Sequence, residues 1–311
     1  MQIRIVDDYG SCARLWAALG PPISLFDLWG IRDCFHRSYR RPIAFVVAEE
    51  RGRLEGLLPV SWIEESAAWG FFPGETYHGR TWLEGNRLLS SDRDVLCKMV
   101  DALDGPVRLR YVERHSFPSG LEGITEDEIG YLFFPAAYSY SFDEYLAQFP
   151  KKSLKGIIQD VRRLEARDVR YRYDEPEDVE KLLEMNLSSF GENSYFHDSR
   201  FREGFRAVAA WLRDRGVLSV TTALIEGRIA AIDVGAVWNR NCTLLAGGVS
   251  AEFPGIAKLI NFHHLRRACR HRYRSVDFLC GDFGWKDRFR LTRCPLYEFA
   301  AGRLQPRAVA S

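Results

Sequence analysis

The sequence predicts an α/β (α+β) fold built from two similar halves, and three observations carry that prediction. Helical and strand patterns alternate irregularly along the 311 residues. Strands arrive in hairpin groups rather than singly. One hairpin also recurs at an offset of 175 residues: Ala48, Gly52, Arg53 and Gly56 correspond without gaps to Ala223, Gly227, Arg228 and Ala231, and Leu57 to Ile232. A Gly-Arg turn is common enough to arise twice by chance. The element order that follows each copy, a third strand, a helix and another strand, favours two related halves.

Taken in order, Ile3–Val6 reads as a strand and Ser11–Leu19 as a helix stopped by Pro21-Pro22. Ser24–Arg37 has amphipathic helical spacing, and two β-rich runs flank a turn at Glu50-Arg51-Gly52. Asp94–Leu103 is helical in pattern, Val107–Val112 is a strand, and the Gly-, Pro- and acid-rich stretch Ser116–Ile129 reads as a loop. Ser141-Phe-Asp-Glu144 is a capping box, in which hydroxyl and carboxylate satisfy the orphan amides of a helix start. The charged helical segment that follows runs to Arg167 with a break near Pro150. Tyr171–Tyr173 is strand-like, Pro176 opens a helix through Phe190, and a helix bearing Phe205, Val208, Ala209 and Leu212 ends at Gly216. Three strands, Val217–Ile225, Ile229–Trp238 and Cys242–Val249, are joined by hairpin-like turns. A helix over 255–269, a strand over 275–279, a loop-helix over 282–290 and a strand over 296–301 complete the chain. The expected domains are residues 1–140 and 169–304, with a charged helical connector at 141–168 and a tail at 305–311.

Composition narrows the function. The chain has 43 Lys and Arg against 42 Asp and Glu, which excludes a generally basic nucleic-acid coat protein. Seven cysteines without a CxxC pair suit reduced, mostly buried thiols rather than a zinc site or disulfide framework. The N-terminus shows no secretory signal, and the most apolar run, residues 129–140, contains Pro135 and is too short to span a bilayer. A cytoplasmic protein is expected. Charge is nevertheless uneven. Residues 258–293 hold ten Lys and Arg against three Asp, a local excess of seven in a chain whose total is +1. That asymmetry suits a polyanionic partner, although a solvated outer helix face would carry the same arginines.

The second half holds Gly247-Gly248-Val249 and then Glu252-Phe-Pro-Gly255-Ile-Ala257 between a strand and a long helix. It also holds Gly281-Asp282-Phe-Gly-Trp285-Lys286 after the next strand. These motifs, in this element order, resemble the GNAT acyltransferase superfamily and its tandem branch of FemX-like and CelD-like proteins. The resemblance covers residues 140–304 well and the first 115 weakly. It implies two GNAT-like domains in tandem, each a mixed, mostly antiparallel sheet flanked by helices. Two departures stand out: Glu252 where the family's phosphate loop is usually cationic or amide-bearing, and Trp285 where the branch carries Tyr.

A helix N-terminus presents unpaired amides and partial positive charge, so Gly255, Ile256, Ala257 and Lys258 are candidates to hold a donor's pyrophosphate. The same Pro254-Gly255 would also serve as a plain turn into a helix. By resemblance, Gly247, Gly248 and Val249 would offer backbone groups to the donor. Lys286 and Asp282, four apart, are the candidate catalytic pair: an ammonium stabilises a developing oxyanion, and a carboxylate orients the amine or takes its proton. A solvated ion pair is the alternative for both. Glu192, His197, Asp233 and Trp285 are candidate acceptor-binding residues, with Asp233 equally readable as a polar edge residue. Cys280 follows an apolar run and reads as structural.

The leading expectation is an N-acyltransferase moving an acyl group from acyl-CoA or an acyl-carrier protein to a small-molecule or peptidyl amine by direct attack, without a metal. The alternatives are an aminoacyl-tRNA-dependent transferase of the FemX-like kind and a non-catalytic GNAT-fold binding protein.

Overall fold

The computed structural model describes residues 1–90, 92–281 and 284–302, so Asp282 and the expected tail at 305–311 lie outside the described residues. The chain forms two compact units. One comprises residues 1–129, 198–208 and 295–311, the other 130–197 and 209–294.

In the first unit, strands β1 (Gln2–Val6), β2 (Ile43–Glu50), β3 (Arg53–Ile63), β4 (Ala68–Phe71), β6 (Val107–Val112) and the last strand of the chain, β13 (Thr292–Ala301), lie side by side in that order. The two-residue β5 (Leu89–Ser90) pairs with β3. Helix α1 (Tyr9–Trp16) packs on β2, and α3 (Arg93–Asp101) packs on β2 and β3. Between them lie Phe45, Val47, Leu58, Leu96, Met99 and Phe299, all buried. Helix α2 (Trp29–Tyr39) carries Phe35 to Phe201 and Trp82. The parallel strands β4 and β6 meet at Trp69 and Val107, and beyond them Asn86 bridges to Val112. Arg32, 1% exposed, holds Asn86 there, donating to its Oδ1 (2.7 Å) and to the carbonyls of Phe26 and Phe72.

In the second unit the order is β7 (Ile124–Phe133), β12 (Ser275–Asp277), β11 (Asn241–Val249), β10 (Arg228–Trp238), β9 (Leu218–Ile225) and β8 (Val169–Tyr173). Every pairing is antiparallel except β11 with β12, which α8 (Ile256–Arg270) connects as a parallel crossover. Ile232 pairs with Gly248, and an added Cβ on Gly248 would lie 3.0 Å from Met185, so α6 (Glu177–Phe190) covers that face. Asp233 and Gly247 point to the other face, under α8. Helix α4 (Phe142–Ala147) starts where the capping box predicts, Ser141 Oγ accepting from the Glu144 amide, and α5 (Lys151–Glu165) follows Pro150. Helix α7 (Ser199–Asp214) precedes β9.

The 175-residue repeat is physical. Ala48 pairs with Gly56 and Glu49 with Leu54 across a bulge, and Ala223 pairs with Ala231 and Leu224 with Ile229 across the same bulge. Both turns place two residues at positive φ, Arg51 and Gly52 in one and Glu226 and Gly227 in the other, as a two-residue hairpin of matching twist requires.

The acid-rich stretch read as a loop to Ile129 is strand from Ile124 onward, because Asp127 is neutralised by a bidentate bond from Arg110 of β6 (2.6 and 2.9 Å).

Asp178, at the start of α6, is fully buried, but bonds from Thr222 and Arg172 outweigh that burial and hold its carboxyl below the usual range. Replacing Asp178 by Ala leaves the Thr222 hydroxyl without its carboxylate. The substitution should cost about 1–3 kcal/mol, read from urea unfolding.

Candidate functional site

The second unit contains an opening in its sheet. Strands β11 and β12 pair only over residues 241–243 and 275–277, after which β11 runs on to Val249 alone on that side. Gly247 and Val249 are exposed there, and the Gly247 carbonyl accepts from Asn186 Nδ2 (3.0 Å).

What parts the strands is the turn after β12. The predicted strand to 279 stops at Asp277, and Leu279 is left-handed at φ 58. Lys286, 2% exposed, explains this: its Nζ donates to the carbonyls of Phe278 (2.8 Å), Leu279 (2.8 Å) and Cys280 (2.7 Å), and it sits 5.2 Å above the Tyr131 ring. A chain whose successive carbonyls converge on one ammonium cannot also present them to a neighbouring strand. Lys286 therefore holds the turn. Asp277 accepts from the Leu279 amide (2.8 Å), and burial pushes its carboxyl up to about 6 against the opposing effect of that bond and of Lys286.

On the α8 face, Asp233 Oδ2 lies 2.9 Å from Nε2 of His264, a buried residue that the sequence reading did not single out. Asp233 Oδ1 overlies Gly247, where an added Cβ would come within 2.5 Å. Asp233 is thus at the lip of the opening, oriented by a histidine from the crossover helix. The adjacent His263–His264 pair on α8 is the sequence signal that could have pointed to it.

The loop before α8 is crowded on its other side. Gly255 caps the helix at φ 94, with Asp160 Cβ 3.6 Å and Leu164 3.8 Å from where its own Cβ would be. Arg163 donates to the Pro254 carbonyl (3.3 Å), and Lys258 is bonded to Asp160. Ile256 is buried and Ala257 exposed. Glu252 is paired with Arg228 at 2.7 Å. Beside Lys258 opens a cleft of about 810 Å³ between α5 and the 285–290 turn, lined among others by Gln159, Asp160, Trp285, Arg288 and Arg290. Trp285 is braced edge-on by Phe278 and Phe289. Glu192 and His197 are exposed on the segment between α6 and α7. Part of the local basic excess is offset from α5, through Lys258 with Asp160 and Arg266 with Glu165.

The sequence model of the acetyltransferase (GNAT) domain matches residues 151–287. This segment is a GNAT domain. The match begins at the first residue of α5. Solved structures share the tandem-GNAT fold at low identity. A conserved protein of unknown function from Bacteroides thetaiotaomicron is 14% identical with TM-score 0.60, covering 96% of this chain and 99% of its own. FemX is 11% identical with TM-score 0.59, covering 96% of each chain. A tandem GNAT protein from the clavulanic acid biosynthesis pathway is 13% identical with TM-score 0.52, covering 97% and 99%. No curated protein sequence matches the chain. Among the described residues no group of three His, Cys, Asp or Glu side chains is placed to hold a metal ion, and no helix is long and apolar enough to cross a membrane.

Two substitutions probe this GNAT site. A raised carboxyl destabilises the folded state where it is ionised, so Asp277 contributes stability that is full below about pH 3.8 and lost as pH rises through about 6. Asp277→Asn should flatten the urea midpoint between pH 4 and 7 relative to wild type. Gly247→Ala should push Asp233 off His264 and cost about 1–3 kcal/mol in the same measurement.

Proposed function

We propose that this chain is an N-acyltransferase whose GNAT domain takes an acyl group from a coenzyme A thioester and transfers it to a small-molecule or peptidyl amine. The observation that carries this reading is the cleft beside the start of α8, lined by Lys258 of its first turn and by Arg288 and Arg290, with Trp285 alongside. Phosphates fit the Lys258, Arg288 and Arg290 side of this loop. They do not fit the Glu252 side, whose carboxylate is already paired with Arg228.

The thioester arm would run along the open edge at Gly247, Gly248 and Val249, using backbone groups that β12 leaves unpaired. The amine nitrogen then attacks the carbonyl carbon, the C–S bond breaks as the C–N bond forms, and coenzyme A leaves as the thiolate. Asp233, bonded to His264, would accept the proton that the amine gives up. In this reading Lys286 acts by shaping the turn at the opening, and Glu192 and His197 border the acceptor. The FemX-like resemblance of the sequence suggests aminoacyl-tRNA as a second donor, and the arginines of α8 would serve it.

Titration calorimetry with CoA and acetyl-CoA tests the donor. Binding is expected, and Arg288→Glu should weaken it about ten-fold or more. If no CoA species binds while tRNA binds in a steeply salt-dependent way, the aminoacyl-tRNA reading replaces this one.

A further inference from the structure

The contact between α5 and the loop before α8 has a consequence for the donor. Asp160 is half-buried and reaches Lys258, and the bond to that ammonium holds its carboxyl below the usual range, so it is an anion at neutral pH. It is the one carboxylate on the α5 side of the cleft, and it uses the cation nearest the first turn of α8. Asp160 also contacts Arg163 at 3.4 Å, and Arg163 in turn holds the Pro254 carbonyl. The helix is seated by Val161 and Leu164, each 2% exposed, and tied further along by Glu165 to Arg266 at 2.8 Å. One side of α5 is thus fixed in the core, while Asp160 lines the cleft.

We propose that Asp160 is the donor gate of the GNAT domain: a side-chain carboxylate that occupies Lys258 until a donor phosphate displaces it, and that thereby sets how strongly the cleft favours highly charged donors. The inference rests on the reading of the cleft as a phosphate site. Two anions cannot share Lys258 at hydrogen-bond range without mutual repulsion, because like charges a few ångströms apart near a protein surface repel by several times thermal energy. A donor phosphate that takes Lys258 therefore competes with Asp160, and the affinity observed is the intrinsic one reduced by that competition. Asp160→Asn keeps the size of the side chain and removes the charge. Lys258 is then released to the ligand.

The test is calorimetric binding of CoA to wild type and to Asp160→Asn, with hydrogen exchange of α5 as an independent measurement. The gate predicts about ten-fold tighter CoA binding by the variant. It also predicts faster exchange across 155–165 when CoA is added to wild type, as the bonds from α5 to the loop are lost. CoA that binds wild type but binds the variant equally or more weakly overturns the gate and leaves the donor reading standing. CoA that binds neither protein, each folded by thermal melt, overturns the donor reading and the gate together. Should Asp160→Asn fail to fold, Asp160→Ala makes the same comparison.

Discussion

The buried ammonium of Lys286 determines where β12 ends, and the opening in the second sheet follows from that. A lysine taken out of water must replace its lost hydration with acceptors, and the three carbonyls of residues 278–280 supply them at 2.7 to 2.8 Å. Carbonyls gathered onto one nitrogen are lost to strand pairing, so β12 is three residues long while its parallel partner β11 is nine. The stretch Gly247–Val249, with Gly247 and Val249 exposed, is the remainder of that mismatch. Asp233 has its place because Gly247 has no side chain to oppose it.

The first unit solves the same geometric problem the other way. Its parallel pair also parts after a single contact, at Trp69 and Val107. Asn86 enters beside Val112 and is clamped by the buried Arg32, whose pKa burial lowers only to about 10, so the clamp stays charged. One fold repeated in one chain therefore has a sheet opening filled by its own backbone in one unit and bordered by exposed glycine and an aspartate–histidine pair in the other.

What the sequence made legible is what local chemistry dictates. The hairpin repeat was readable because a tight turn demands Gly at one position and a bulge keeps its register, so Gly52 and Gly227 mark the same geometry. The start of α4 was readable because a capping box is a contact between residues three apart. Long-range partners were not. Asp127 looks like a loop residue until Arg110 is beside it. Nothing near Lys286 in the sequence indicates that its ammonium will be buried, and nothing in the amphipathic pattern of α5 names the loop on which it lies. His264 is one of two adjacent histidines, and only the turn of α8 decides which of them meets Asp233.

Charge shows the same limit on a larger scale. Counted along the chain, residues 258–293 are strongly basic, and a polyanion partner is the natural expectation. Counted in space, the carboxylates of α5 enter the same region, and Asp160 and Glu165 come from a segment whose own sequence reads as a connector. The cations left at the cleft, Arg288 and Arg290, are few and placed on one side. A surface of this kind recognises a compact phosphate group at a defined point more readily than an extended backbone, because contact along a nucleic acid requires a run of accessible cations. Among the described residues α5 pairs only Lys258 and Arg266 of the segment's ten cations, so it is the layout of the cleft, and not of the whole segment, that suits the small phosphorylated donor proposed above.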